Sequence, residues 1–512
     1  MTTVSSLLRR WADELPDAPA LSYGGETRTW AQLERRVRQA AAALRASGIG
    51  PGDRIAVLDL NHPSCLELTL ACAYVGAANA VVNFRLAPPE IVYVITDADA
   101  QLLFAGPEFA GAVEGLREKL ACVREVIALP DGYEEWLGAH EPLAEPYEAG
   151  PDECFVQLYT SGTTGFPKGA MLTHRGMLAH AEAVADDAGL GPDAVTQVAM
   201  PLFHVGGTSF AFCALTRGSH VSVLRVPDPV AVLDQLEHDG ITHTFLVPAL
   251  LAAITQVPGA FERRFPALRA MLYGASPMPL PVLRACATLF PGTLLQVYGM
   301  TEACGVVTTL GPADHDDPAV EHRLISAGTP VPGVEIEVRD PATGEPVPTG
   351  EPGEVWVRTA QLMSGYWRKP EATAAAITPD GWLRSGDGGH LDADGYLYVT
   401  DRIKDMIISG GENIYPAEIE RVLAEHPDVG DCAVIGVPDE RWGEVGKAVV
   451  VAAPGRAIDP AAILDHLRAH LAAFKVPKTV DVLDELPRNP TGKILKKDLR
   501  APYWAGRDRR TV

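Results

Sequence analysis

Residues 159–169, Tyr159-Thr160-Ser161-Gly162-Thr163-Thr164-Gly165-Phe166-Pro167-Lys168-Gly169, gather the groups that grip a phosphate. Gly162, Gly165 and Gly169 permit backbone conformations that set N–H groups side by side, aimed at one point. Ser161, Thr163 and Thr164 add hydroxyl donors beside Thr160, and Lys168 adds a full positive charge. The spacing is not that of the common nucleotide loop, Gly-x-x-x-x-Gly-Lys-Ser/Thr opening a helix. Lys168 follows Pro167 and precedes Gly169-Ala170-Met171-Leu172, which predicts a hairpin entering a second strand. The apolar run Cys154–Tyr159 before it predicts a buried strand. A plain polar turn seldom needs eleven residues so rich in donors.

A second cluster, Tyr298-Gly299-Met300-Thr301-Glu302, follows the apolar run 293–297. Glu302 is a candidate magnesium ligand, because that ion takes carboxylate and phosphate oxygens together. Thr301 offers a hydroxyl to an α-phosphate. Ser385-Gly386-Asp387 reads as a loop after Trp382-Leu383-Arg384, with a carboxylate able to accept both hydroxyls of a ribose. An Asp beside glycine is also an ordinary turn, as is Gly274-Ala275-Ser276-Pro277 in isolation. Pro490-Thr491-Gly492-Lys493 is either a turn with a solvated lysine or a loop that carries an ammonium into a site. His204, in Phe203-His204-Val205-Gly206-Gly207, sits beside apolar residues, where a histidine is usually a bonded core group.

Taken together, these segments resemble the signature motifs of the adenylate-forming superfamily: acyl-CoA synthetases, aryl-CoA ligases, luciferases and adenylation domains. The resemblance runs along the whole chain. It implies that Thr160, Ser161, Gly162, Thr163, Thr164, Gly165 and Lys168 hold the pyrophosphate end of ATP. It implies that Gly274, Ala275 and Ser276, with Tyr298, Gly299 and Met300, wall the adenine and part of the acyl pocket. Thr301 and Glu302 would serve the α-phosphate and Mg2+, and Asp387 the ribose. Arg402 resembles a ribose or phosphate contact at a domain junction, and Lys404 a hinge that absorbs a domain rotation. Gly410 and Gly411 would let backbone approach the pantetheine arm of coenzyme A. Lys493 resembles the catalytic lysine, a cation set where charge develops. His204 resembles the histidine that lines the acyl site near the thiol's entry. Ser385 departs from the motif, where threonine is commoner.

The elements that must position these groups read as α/β. From residue 54 to about 240, short apolar runs (80–83, 102–104, 125–129, 197–200, 221–224) alternate with helical patterns, which predicts mostly parallel sheets covered by helices. Runs 244–247, 270–273 and 293–297 continue the pattern, and ligands gather at the carboxyl ends of such strands. Thr29-Trp30-Ala31-Gln32 has the form of a capping box opening a helix. Between about 326 and 400 the chain turns to Gly, Pro and short β-like runs, a small antiparallel unit. Residues 417–425, 431–437, 447–452 and 460–471 then read as a compact α+β module. The expectation is a large N-terminal AMP-binding domain, 1–401, and a small mobile C-terminal lid, 402–512.

A chain of 512 residues, 47% hydrophobic, is too long for one core. A net charge of −23 disfavours nucleic acid and anionic membranes as partners. The eight cysteines contain no C-x-x-C pair and read as reduced core residues of a cytoplasmic protein. The N-terminus reads as having no secretory leader. The apolar stretch 66–84 holds Glu67, Asn79 and Asn83, so it reads as a buried helix and strand, not a membrane span. A homodimer is compatible with this reading.

The resemblance implies an AMP-forming acid–thiol ligase that uses ATP, Mg2+ and coenzyme A through an acyl-adenylate. A ligase passing the acyl group to a carrier protein or an amine stays open beside it. Pocket candidates are His204, Val205, Gly206, Gly207, Phe210, Tyr273, Gly274, Gly299 and Met300. They include no Lys or Arg, so a second carboxylate on the substrate would be unpaired, which is costly. Amino-acid-activating members of the family that the chain resembles carry an Asp shortly after the phenylalanine matching Phe203, to hold the α-amine; residues 203–210 have none, so the resemblance disfavours amino acids. Fatty acids of medium or longer chain, and aryl or cinnamic-type acids, remain.

Overall fold

The computed structural model describes residues 3–160, 167–402, 405–409, 412–439, 441–471, 473–488 and 493–505, with backbone alone at 401, 402, 408, 412 and 413. Among these residues the strands form four sheets. One has six strands, in the order Glu125–Ala128, Ala100–Ala105, Arg54–Leu58, Ala78–Val81, Cys154–Thr160, Lys168–Thr173. Every pair in it is parallel except the last, which is the expected hairpin, with Thr160 opposite Lys168.

The second sheet has nine strands. Its centre, Leu294–Met300, Ala270–Gly274, His243–Leu246, Val195–Val198, His220–Val223 and Pro19–Tyr23, is parallel. Antiparallel strands Gly305–Leu310 and Thr329–Pro330 close one edge and Glu26–Thr29 the other. Helices His174–Ala188 and Val205–Thr216 are buried along most of their length, because each is apolar around much of its circumference. The capping box forms: Thr29 Oγ1 accepts from Gln32 N at 3.3 Å, and Gln32 Oε1 accepts from Thr29 N at 2.9 Å.

The helix Pro63–Val75 runs into the strand Ala78–Val81, as the 66–84 stretch predicts. Its Glu67 is fully buried and paired, taking hydrogen bonds from Arg28 (2.9 Å), Arg36 (2.7 Å) and the Tyr133 hydroxyl (3.0 Å). No helix among the described residues is long and apolar enough to cross a membrane.

The small antiparallel unit is a four-stranded sheet: Val334–Arg339, Gly353–Thr359, Leu383–Leu391, Leu397–Arg402. Here the reading of 385–387 as a loop is corrected. Ser385-Gly386-Asp387 lies inside the strand Leu383–Leu391, whose glycine run hides the alternation that marks a strand. After Arg402 comes a separate sheet of Ile407–Ser409, Glu412–Ile414, Val429–Asp439, Gly443–Ala452 and Thr479–Val482, with its own apolar core around Ile419, Val434, Val450 and Leu467.

Four imidazoles, two buried (His174, His180) and two half-buried (His62, His204), are held neutral. Burial lowers His62, His174 and His204 to about 4, and His180 to about 3, from the ordinary 6.5. Below 6.5 the unfolded chain therefore binds protons that the folded chain refuses until about 4, so stability falls as pH drops through that window. Denaturant midpoints at pH 7 and pH 5 check this: the midpoint at 5 is expected to be lower, with net proton uptake on unfolding. Equal midpoints would contradict neutral burial.

Candidate active site

A cavity of about 950 Å3 opens where the six-stranded, nine-stranded and four-stranded sheets meet. Thr160, Pro167 and Lys168 line it from the hairpin, and Gly299, Met300, Thr301 and Glu302 from the Leu294–Met300 strand and the turn after it. That strand runs through Tyr298-Gly299-Met300, further than the sequence reading carried it. Ser161, Gly162, Thr163, Thr164 and Gly165 of the phosphate-gripping loop lie outside the described residues, as do Lys404, Gly410 and Gly411.

The hairpin's outer edge is paired by residues 364–367, a segment that sequence reasoning missed. Ser364 N donates to Met171 O (3.0 Å), Met171 N to Gly365 O (3.0 Å) and Trp367 N to Gly169 O (2.8 Å). This lays Tyr366 beneath the phosphate side of the cavity. Its hydroxyl donates to Glu302 Oε1 at 2.7 Å, and Lys168 Nζ stands 4.7 Å from its ring centroid. Lys168 and Glu302 thus share one ring without joining in an ion pair. Tyr159 lines the cavity beside Thr160, but its hydroxyl is engaged elsewhere: it donates to Asp97 Oδ2 at 2.9 Å, and burial beside that carboxylate pushes its pKa up.

Toward the four-stranded sheet, Ala275, Ser385 and Gly386 line the cavity. Ala275 takes a left-handed φ of +69°, a conformation that costs an alanine about 1 kcal/mol. Gly274 leaves no room for a side chain, since a Cβ there would stand 2.0 Å from Val297 O; Ser276 is exposed. Asp387 sits just behind the lining, 8% exposed, and accepts from the Tyr298 hydroxyl at 2.7 Å. The backbone of Arg402 pairs with Asp387 in the antiparallel ladder.

The apolar wall of the cavity is built on the Val205–Thr216 helix. His204 is its N-cap, accepting from Gly206 N at Nδ1 (3.1 Å), which leaves the ring proton on Nε2. The loop before it is pinned by a buried residue of the other sheet. Asn61 Nδ2 donates to Met200 O (3.0 Å) and Leu224 O (3.1 Å), and Asn61 Oδ1 accepts from Leu202 N (2.9 Å). Val205, Gly206 and Phe210 line the cavity with His204.

Two pocket candidates are corrected. Tyr273 faces the opposite layer and bonds His315 (2.8 Å) and Gln296 (3.3 Å), because strand side chains alternate and Leu272 takes the cavity face. Gly207 packs against the preceding loop instead: a Cβ there would meet Pro201 O at 2.3 Å. Phe203, of the His204 segment, belongs to the wall, and so do Phe245, Val306 and His180, which carried no motif.

Lys493 reaches the same cavity from the C-terminal module, together with Arg488 and Leu495. Its charge adds to burial in lowering His204. Next to Lys493, Arg488 and Ile494 form an antiparallel bridge and Leu495 N donates to Pro487 O (2.8 Å). The following helix, Lys496–Trp504, is tied down by Lys496 to Glu420 (2.9 Å) and Arg500 to Asp405 (2.6 Å).

Comparison with known families matches residues 8–367 to the AMP-binding enzyme family and residues 418–493 to the AMP-binding enzyme C-terminal domain. The chain belongs to the AMP-binding enzyme family. It is 43% identical over 490 residues to a feruloyl-CoA synthase of an Amycolatopsis species, covering 95% of this chain and 96% of that one. It is 38% identical over 501 residues to the fatty acid–[acyl-carrier-protein] ligase ScoC of Streptomyces coeruleorubidus, covering 96% and 95%. Among solved structures, ATP-bound MatB from Rhodopseudomonas palustris superposes with a TM-score of 0.89 at 32% identity, over 98% of this chain and 99% of that one. The fold is therefore the one expected: a large α/β part of mixed sheets and a small C-terminal module.

The donor set of this AMP-binding enzyme fits magnesium bound through a triphosphate. No cluster of three or more His, Cys, Asp or Glu that could cage a metal occurs among the described residues. A single carboxylate, Glu302, suits an ion whose other ligands are phosphate oxygens and water. Tyr366→Phe tests how that carboxylate is held. A hydrogen bond to a charged group is worth about 1.5–3 kcal/mol, so ATP–pyrophosphate exchange is expected to fall about tenfold, with a raised magnesium requirement. Exchange and magnesium dependence like those of the unaltered enzyme would show that the phenol does not hold Glu302.

Proposed function

We propose that this AMP-binding enzyme is an ATP-dependent acyl-CoA synthetase that joins a fatty, aryl or cinnamic-type carboxylic acid to coenzyme A, releasing AMP and pyrophosphate through an acyl-adenylate. The observation that carries the reading is the meeting of Lys168, Thr301, Glu302 and Lys493 around one cavity whose other half is apolar. The feruloyl-CoA synthase relative supports the same chemistry.

In the first half-reaction a carboxylate oxygen bonds to the α-phosphorus of ATP and the bond to the bridging oxygen of pyrophosphate breaks. No protein nucleophile is required, so the chain contributes position and charge. The ammonium groups of Lys168 and Lys493 face the phosphates, and the Thr301 hydroxyl donates to the α-phosphate. Glu302 would hold magnesium, which would supply positive charge to offset that of the triphosphate. His204, neutral at physiological pH, holds its ring proton on Nε2 and bounds the acyl side without carrying charge. Phe203, Phe210 and Phe245 exclude water around the reacting carboxylate. In the second half-reaction the thiol of coenzyme A bonds to the acyl carbonyl carbon and AMP leaves.

The wider reading has 1–401 as the AMP-binding body and 402–512 as a lid that rotates between the two half-reactions, with Lys404 as hinge and Gly410 and Gly411 beside the pantetheine arm. Ser161, Gly162, Thr163, Thr164 and Gly165 cradle the pyrophosphate, Ala275 and Tyr298 wall the adenine, and Asp387 and Arg402 serve the ribose. A cytoplasmic location, with free cysteines and access to ATP, and self-association as a homodimer complete the reading. ScoC supports a second acceptor, a carrier protein in place of coenzyme A. Exchange of pyrophosphate into ATP across a panel of acids, with and without coenzyme A, separates the two: thioester with added coenzyme A supports the synthetase, and exchange without thioester supports the carrier-protein ligase.

Lys493→Ala tests the lid lysine. Removing a cation aimed at developing charge costs about 2.7–4 kcal/mol, so adenylate formation is expected to fall by a factor of about 100 to 1,000. Thioester formation from supplied acyl-adenylate is expected to be spared. Equal loss in both half-reactions would contradict a role confined to the first.

A further inference from the structure

The acyl half of the cavity ends on a polar side chain with nothing to bond. His180, on the helix His174–Ala188, lines the cavity and is 1% exposed. Neither of its ring nitrogens has a hydrogen-bond partner. Buried polar groups are nearly always paired, because an unpaired one loses its hydration and gains nothing in return. Burial keeps this ring neutral, with its pKa near 3. A neutral imidazole carries one donor and one acceptor.

Two neighbours aim the same way. Gly305 begins the strand that passes His180, with φ at +136°, where only glycine is at ease. A Cβ on Gly305 would stand 2.5 Å from His180 Nε2 and 2.8 Å from Ser209 Oγ. The histidine nitrogen and the serine hydroxyl therefore converge over one bare stretch of backbone, and Ser209 also lines the cavity. Around them the wall is Val184, Phe210, Cys213 and Val306.

We propose that His180 and Ser209 form the distal end of the acyl pocket and hydrogen-bond a neutral hydroxyl group on the far side of the acid's ring, so that the substrate class is hydroxylated aryl or cinnamic-type acids. A phenolic hydroxyl is itself one donor and one acceptor, and it matches a neutral imidazole beside a serine. A plain alkyl tail would leave both ring nitrogens unsatisfied. A second carboxylate would meet no cation there. The inference rests on the adenylating reading above and narrows its acid.

The test is ATP–pyrophosphate exchange, which needs no coenzyme A, with paired acids: 4-hydroxycinnamate against cinnamate, and 4-hydroxybenzoate against benzoate, with octanoate alongside. The unaltered enzyme is expected to favour the hydroxylated member of a pair. His180→Phe is expected to lower the hydroxylated-to-unsubstituted ratio of kcat/KM about tenfold or more, mainly through KM, as losing one buried hydrogen bond does. Ser209→Ala is expected to lower the same ratio several-fold. An unaltered enzyme that does not distinguish the pair, or favours octanoate, overturns the proposal. So does a loss that is equal for both members in either variant, which is the signature of a merely structural histidine or of one bonded to trapped water. If His180→Phe fails to fold, the unaltered enzyme and Ser209→Ala decide. Absence of exchange with every acid would reject the adenylating reading itself, and this proposal with it.

Discussion

The site depends on keeping two opposite charges close without letting them pair. Lys168 and Glu302 flank the ring of Tyr366, the ammonium against its face and the carboxylate on its hydroxyl. A direct ion pair would bring each a modest gain in a half-wet cavity and would cost both their use, since neither would then face a phosphate or its metal. A phenol between them satisfies the carboxylate with one hydrogen bond and the cation with the ring's negative face. The arrangement demands that a segment about 200 residues away in the chain be laid along the hairpin, and residues 364–367 do this by backbone pairing. The ring is thereby positioned by main-chain pairing as well as by its packing in the core.

The same economy recurs at the seams between sheets. Tyr298, from the nine-stranded sheet, donates to Asp387 of the four-stranded sheet, so the wall on one side of the cavity fixes a carboxylate on the other. Asn61, from a loop of the six-stranded sheet's half, holds three backbone groups of the segment that leads into His204, Ala199 O, Met200 O and Leu202 N. Buried polar groups that bond across a seam fix register where apolar contacts would tolerate sliding. Each of these ties ends within a residue or two of a side chain that lines the cavity. The C-terminal module has its own core and brings Lys493 to the cavity beside the Arg488–Ile494 bridge.

Much of this is written locally in the chain. The hairpin around 159–169, the Thr301–Glu302 pair and the Lys493 turn are contiguous segments whose residue types state their chemistry, and parallel strands announce themselves as short apolar runs. What sequence does not carry is the partner. Tyr366 is one tyrosine among 13 until the fold sets it against Glu302. Ser385–Asp387 reads as loop because glycines erase the two-residue alternation of a strand, while ladder bonds need no side chains. Tyr273 and Leu272 exchange roles because neighbouring strand residues face opposite layers, and an apolar run buried on both faces gives no sign of which is which. His180 looks like any core histidine on a helix; only its missing partners set it apart.

Those missing partners also bear on which acids the cavity can hold. Its phosphate side has Lys168 and Lys493, and its acyl side, around Phe203, Phe210, Phe245 and Leu272, has apolar surface with two neutral imidazoles, His204 and His180. Arg384 and Arg488, which also line the cavity, are paired with Glu354 and Asp431, so under the proposed function a monocarboxylic acid is oriented by the two lysines: head toward them, body along the phenylalanines. A dicarboxylic acid cannot be oriented this way without leaving its second charge among apolar groups, where burial without a counter-ion is expensive. His180 cannot relieve that cost by taking a proton, because the burial that empties its surroundings of partners also holds its ring neutral. Selection against a remote charge and acceptance of a remote neutral dipole thus come from one cause, the dryness of the pocket's far end.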